Sequence, residues 1–169
     1  MILSAKHAEY RIQQLTVLVV DDNAFMRNVV RGLLGVIGVK TVLEAADGIA
    51  ALEAIREYSP DIVVLDWEMP LLNGPELVRI VRSPGVFPMP DIPIIMLTAH
   101  GERWRIVESV KIGVNEFLCK PVSAKALLDR MMSILIKPRE SVRLGEYYGP
   151  APRRPTFMAK PEPAETPAA

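Results

Sequence analysis

The chemistry legible in this chain rests on three aspartates, a threonine and a lysine: Asp21, Asp22, Asp66, Thr98 and Lys120. Brought together, the aspartates would set up to three negative charges side by side, which either raises a carboxylate pKa or recruits a cation. A small, hard divalent ion suits them. Mg2+ is favoured because it binds through one or two carboxylates, waters and a phosphoryl oxygen rather than a full protein cage. A metal held in that way serves a phosphate. Phosphoryl transfer needs charge neutralisation and positioning more than covalent machinery, and here Lys120 can pair with one phosphoryl oxygen while the Thr98 hydroxyl donates to another. Carboxylates form acyl phosphates, so Asp66 is the expected phosphoacceptor.

Each of these residues stands where an apolar, strand-like run stops. The runs are Leu15-Thr16-Val17-Leu18-Val19-Val20, Ile62-Val63-Val64-Leu65, Ile94-Ile95-Met96-Leu97 and Phe117-Leu118-Cys119. If the strands lie parallel in one sheet, their carboxyl ends share the edge along which open α/β sheets bind ligands. Short apolar runs alternating with amphipathic segments predict that arrangement. Strands are expected near 16–20, 41–45, 62–66, 94–98 and 116–119, and helices near 24–37, 48–58, 74–83, 103–112 and 123–136. Ser123 reads as an N-cap, with Ala126, Leu127, Met131, Ile134 and Leu135 at helical spacing behind it. Asp47-Gly48 starts the second helix in the same way. Pro60, Pro70, Pro75, Pro84, Pro88, Pro90, Pro93 and Pro121 fall between elements or at their edges, as a residue without an N–H must.

The chain has 169 residues, 50% hydrophobic and 24% charged, which suits one domain of roughly 120 residues with tails. Twenty basic residues balance twenty acidic ones, so no net field draws the protein to nucleic acid or an anionic membrane. A single cysteine makes a reducing cytosolic setting the default. The start lacks the apolar stretch of a signal peptide, and no run approaches a membrane span, so a soluble, cytoplasmic protein is expected. Residues 1–14 read as a polar leader and 15–137 as the domain. From Pro138 the composition turns proline-rich, and 138–169 is expected to be a mostly disordered tail too poor in apolar periodicity to pack an effector domain.

Val19-Val20-Asp21-Asp22-Asn23, Leu65-Asp66-Trp67-Glu68-Met69-Pro70, Leu97-Thr98-Ala99 and Phe117-Leu118-Cys119-Lys120-Pro121 resemble, in order and spacing, the receiver domains of two-component response regulators. The resemblance covers about 15–137. It implies a flavodoxin-like fold, a five-stranded parallel sheet of order 2-1-3-4-5 with five helices on both faces. It further implies that Asp21, Asp22, Asp66 and the Glu68 backbone carbonyl hold Mg2+. Asp66 would take a phosphoryl group from a histidine kinase or histidine phosphotransfer protein. Thr98 and Phe117 match the family's switch pair and Lys120 its lysine. The chain would be a stand-alone, non-enzymatic switch that assists only its own phosphorylation and dephosphorylation. It would signal to a downstream protein through the face of the 103–112 helix, the 116–119 strand and the 123–136 helix. Glu68 and His100 depart from the commonest residues at positions that tune phosphoryl lifetime, and Glu68 is expected either to reach Lys120 while the phosphoryl group is absent or to repel water and anions when it is present.

Blander readings stand beside these. Asp-Asp-Asn is also an ordinary turn and helix cap, and only four matching strand ends together raise it to a metal site. Cys119 is expected to be buried packing without redox chemistry, and Trp67 to shield the site. Trp104, beside Arg103 and Arg105, is either core or an aromatic anchor on the output face. Tyr147-Tyr148-Gly149-Pro150, with Arg153-Arg154-Pro155 and Phe157, is either a docking peptide or an inert solubilising tail. Two other functional classes remain. A receiver working as a phosphorylation-independent scaffold is kept open by Glu68, which could mimic charge. A metal-dependent phosphatase would need a general acid and a substrate-covering cap, and Glu68 is the sole candidate acid with no cap insertion.

Overall fold

The computed structural model describes residues 4–153. The elements, in chain order, are α1 (Ala5–Gln14), β1 (Thr16–Val20), α2 (Ala24–Ile37), β2 (Thr41–Ala45), α3 (Gly48–Tyr58), β3 (Ile62–Asp66), α4 (Gly74–Val81), β4 (Ile94–Thr98), α5 (Arg103–Ile112), β5 (Glu116–Cys119), α6 (Ala124–Ile136), β6 (Ser141–Leu144) and β7 (Tyr147–Pro150). The first five strands form one parallel sheet in the order β2-β1-β3-β4-β5, as the resemblance implies. Register sets Val20 beside Leu65, Asp66 beside Leu97 and Thr98 beside Cys119. The residues that end or follow these strands therefore gather at one edge.

Strand alternation splits the core into two layers. Leu18, Val63, Leu65, Ile94 and Met96 pack with α3 and α4 through Ala51, Ile55, Leu77 and Val78. Val17, Val19, Ile62, Val64, Ile95 and Leu97 pack on the other face with Val30 and Leu34 of α2 and Leu127 and Met131 of α6. Asparagine, aspartate and serine caps set the helix starts: Asn23, Asp47, Asn73 and Ser123 each accept from the backbone N–H three residues on. The helix expected over 74–83 stops at Val81, because Pro84 disfavours helical backbone just before it.

Two departures lie at the ends. The leader is a sixth helix: Ser4 caps α1, Ala8 and Ile12 turn inward one helical turn apart, and Arg11 donates to the Leu135 carbonyl of α6 at 3.3 Å. Ile12→Val is expected to cost about 1 kcal/mol, read by urea unfolding, whereas a helix merely resting on the surface would leave the midpoint unmoved. At the other end, the expectation of a mostly disordered tail is corrected for 141–150, where β6 and β7 form an antiparallel hairpin. Gly145 opens its turn at a φ of 63°, where glycine is favoured. The hairpin is tied to the domain rather than held by its own core. Tyr148 donates to Asp91 at 2.5 Å, Arg139 to the Asn115 and Ala151 carbonyls at 2.7 and 3.0 Å, and Arg153 to the buried Glu116. Arg154, Pro155 and Phe157 lie outside the described residues.

Candidate functional site

The site is built at the carboxyl edge, where β1, β3, β4 and β5 end. Asp21 and Asp66 are buried, and Asp22 is exposed. One carboxylate oxygen from each of the three lies within 4.8 Å of the others. Lys120 Nζ bridges the buried pair, 3.0 Å from Asp66 Oδ1 and 3.4 Å from Asp21 Oδ2. Asp21 Oδ1 also accepts the N–H of Asn23 at 2.9 Å, which fixes its rotamer at the head of α2. The cavity here, about 620 Å3, is lined by all four of these residues together with Glu68 and Thr98.

One ammonium does not balance three carboxylates. Burial above all, with the charges of Asp21 and Asp22, pushes the Asp66 carboxyl above its ordinary pKa against the lowering effect of Lys120. Burial also works against a charged Lys120, yet its contacts with Asp66 and Asp21 outweigh that and hold its pKa up. The ammonium therefore stays protonated while a negative excess remains around Asp66. Three hard oxygen donors with unbalanced charge fit a small divalent cation.

Thr98 is buried beside this cluster, and its Oγ1 accepts from Arg105 Nη1 at 3.1 Å and from the His100 N–H at 3.2 Å. Phe117 is half-buried and stands apart from the acids. It borders a second cavity of about 520 Å3 between α5, β5, α6 and the hairpin. Trp67, 7% exposed, meets Trp104 edge to face with centroids 6.0 Å apart. Trp104 itself is largely exposed on the α5 surface rather than core.

Two expectations are corrected. Glu68 pairs with Arg105, whose Nη2 lies 2.8 Å from Oε1, while Lys120 is engaged by Asp66 and Asp21. That hydrogen bond holds the Glu68 carboxyl below the usual range. Cys119 is exposed, because β5 is an edge strand and α5, the helix beside it, buries only Ser109. Arg105 is the residue that sequence reasoning missed. The available signal was its position in the first turn of the helix that follows Thr98, from which a long cation can fold back over the strand end.

The sequence matches the response regulator receiver domain family over residues 17–132, and the chain belongs to that family. Among its relatives is chemotaxis protein CheY1 of Helicobacter pylori, 35% identical over 122 residues, which cover 72% of this chain and 97% of that protein. The CheY of Pseudomonas aeruginosa is 34% identical over 120 residues, covering 71% and 95%. Vibrio cholerae CheY4 superposes with a TM-score of 0.63 at 31% identity, covering 71% of this chain and 98% of that one. The receiver domain of the Francisella response regulator 1452 gives 0.64, also at 31% identity, covering 73% and 98%. The domain is thus homologous to single-domain chemotaxis receivers of two-component signalling. Among the described residues, no helix is long and apolar enough to cross a membrane.

Proposed function

We propose that the chain is a cytoplasmic single-domain response regulator switched by phosphorylation of Asp66. The observation that carries this is the triad of Asp21, Asp22 and Asp66 oxygens within 4.8 Å of one another, two of them tied to Lys120. Asp21, Asp22, Asp66 and the Glu68 carbonyl would hold Mg2+, which when bound supplies neutralisation of charge on the phosphoryl oxygens. The donor is a histidine kinase or a histidine phosphotransfer protein. An Asp66 oxygen attacks phosphorus, the bond to the donor nitrogen breaks, and the donor histidine keeps the electron pair. Lys120, already on Asp66, neutralises one oxygen of the acyl phosphate. Thr98 turns its hydroxyl toward another, leaving Arg105.

The chain turns over no substrate of its own. Its output is protein contact across α5, β5 and α6. Trp104, Val107 and Val110 are exposed along α5 and offer such contacts apolar surface. The cavity beside Phe117 gives that ring room to change position when Thr98 moves. Glu68 and His100, whose Nε2 lies 3.8 Å from Glu68 Oε1, flank the path of water to the acyl phosphate and set its lifetime.

The test is intact mass after incubation with acetyl phosphate. A single phosphoryl adduct is expected only with Mg2+ present and only while Asp66 is intact, with complete loss in Asp66→Asn. No adduct, together with unchanged Trp fluorescence on adding beryllofluoride, would favour the phosphorylation-independent scaffold.

A further inference from the structure

Glu68 places a carboxylate beside the position an incoming phosphoryl group must occupy, and it lines the same cavity as Asp66. A free anion there would oppose a second anion. The structure shows what offsets it. Arg105 Nη2 donates to Glu68 at 2.8 Å and Nη1 to Thr98 at 3.1 Å, so the guanidinium spans the strand end with one nitrogen on each. Its Cζ lies 5.0 Å from the Trp67 ring centre and 5.1 Å from that of Trp104, and its Nε is 3.4 Å from Glu102. Only 12% of the side chain is exposed. A guanidinium held by stacking and by several oxygens loses little further entropy in binding a carboxylate. Glu68 is 60% exposed and has no comparable packing, so the arginine is the fixed member of the pair. The His100 ring, also near Glu68, is farther away, at 3.8 Å.

We infer that Arg105 is a positioning residue for phosphorylation: it neutralises Glu68 and tethers that carboxylate away from the approach to Asp66. This rests on the reading of Asp66 as phosphoacceptor and adds a residue to it. Arg105 touches neither Asp66 nor the donor. Its effect passes through Glu68, so removing Glu68 should cancel it.

The experiment measures the rate of adduct formation from acetyl phosphate, by intact mass at fixed pH and Mg2+. In that reaction Asp66 bonds to phosphorus as the bond to acetate breaks, and acetate leaves with the electron pair. Arg105→Gln is expected to be roughly five- to tenfold slower than wild type at low ionic strength, as one unpaired charge near the reacting anion dictates. The deficit should shrink as salt screens it. The double variant Glu68→Gln with Arg105→Gln should regain the wild-type rate within about twofold, since the repelling charge has gone. Arg105→Lys keeps the cation and should stay close to wild type. The inference is overturned by a wild-type rate in Arg105→Gln, by a double variant as slow as Arg105→Gln alone, or by Arg105→Lys as slow as the glutamine variant. Either of the last two results means that Arg105 acts through its packing or its hydrogen bond to Thr98 rather than through the charge of Glu68. Absence of an adduct on the wild-type chain overturns the phosphoacceptor reading itself, and this inference with it.

Discussion

Arg82→Ala is expected to lower the stability of the fold by about 3–5 kcal/mol, because it orphans buried acceptors as well as opening a cavity. Arg82 is 6% exposed and sits just past the end of α4. Its guanidinium donates to the Gly113 carbonyl at 2.9 Å, the Pro90 carbonyl at 2.7 Å and Asn115 Oδ1 at 2.9 Å. Two separate stretches of chain, at Pro90 and at 113–115, meet on that one side chain. The alanine variant leaves the Gly113 and Pro90 carbonyls without this donor, while Asn115 Oδ1 keeps only the Ile94 N–H. In a domain of this size the loss corresponds to a fall of about 10 °C or more in Tm. Burial pulls the Arg82 pKa down to about 10, still far enough above neutrality for the side chain to remain charged at pH 7. Arg82→Lys should recover only part of the loss, since one ammonium cannot reproduce a planar fork. Urea unfolding of the three proteins decides the matter. A midpoint for Arg82→Ala within 1 kcal/mol of wild type would show that water replaces the guanidinium without cost.

Gly74→Ala acts at the site itself. A Cβ at Gly74 would stand 2.6 Å from the Asp66 carbonyl oxygen and 3.1 Å from both the Trp67 Cα and the Met96 sulfur. Two of those three neighbours are backbone and cannot swing aside. Gly74 N–H also donates to the Trp67 carbonyl at 2.9 Å, closing the loop from Trp67 to the head of α4. The extra methyl must push α4 outward or shift the end of β3, at a cost of about 2–3 kcal/mol. Either movement disturbs the 3.0 Å contact between Asp66 and Lys120. We therefore expect both a lowered unfolding midpoint and slower formation of the acyl phosphate. Wild-type values for both would mean that the helix slides freely over the strand end.

The sheet and the acidic cluster were legible because each strand is a short apolar run ending at turn chemistry. In a parallel sheet, runs of that kind can only end on a common edge. What escaped the sequence has physical reasons of the same kind. α1 turns only Ala8 and Ile12 inward, too few to stand out from a polar leader. The hairpin hides in proline-rich composition and is held by hydrogen bonds to Asp91, Asn115 and Glu116, partners distant in sequence that no local pattern reveals. Arg105 finds Glu68 thirty-seven positions away, a pairing created only when β3 and β4 lie side by side. Cys119 was misplaced because strand alternation says which face a residue takes. It does not say whether a helix covers that face.

The last strand of the sheet is anchored most heavily at one end. At its root, Asn115 receives a donor from Arg139 on its carbonyl and two more, from Arg82 and Ile94, on Oδ1, while its own N–H reaches the Ile94 carbonyl. Glu116, next along, is gripped by Arg130 and Arg153. At its tip the backbone is joined to β4 alone, through the Lys120 N–H and the Thr98 carbonyl at 2.7 Å. Between root and tip β5 is paired to β4 residue by residue, Phe117 opposite Met96 among them. Arg139 and Arg153, beyond the stretch matched to the family, thus grip the strand where it begins, a support that the family's own span does not supply.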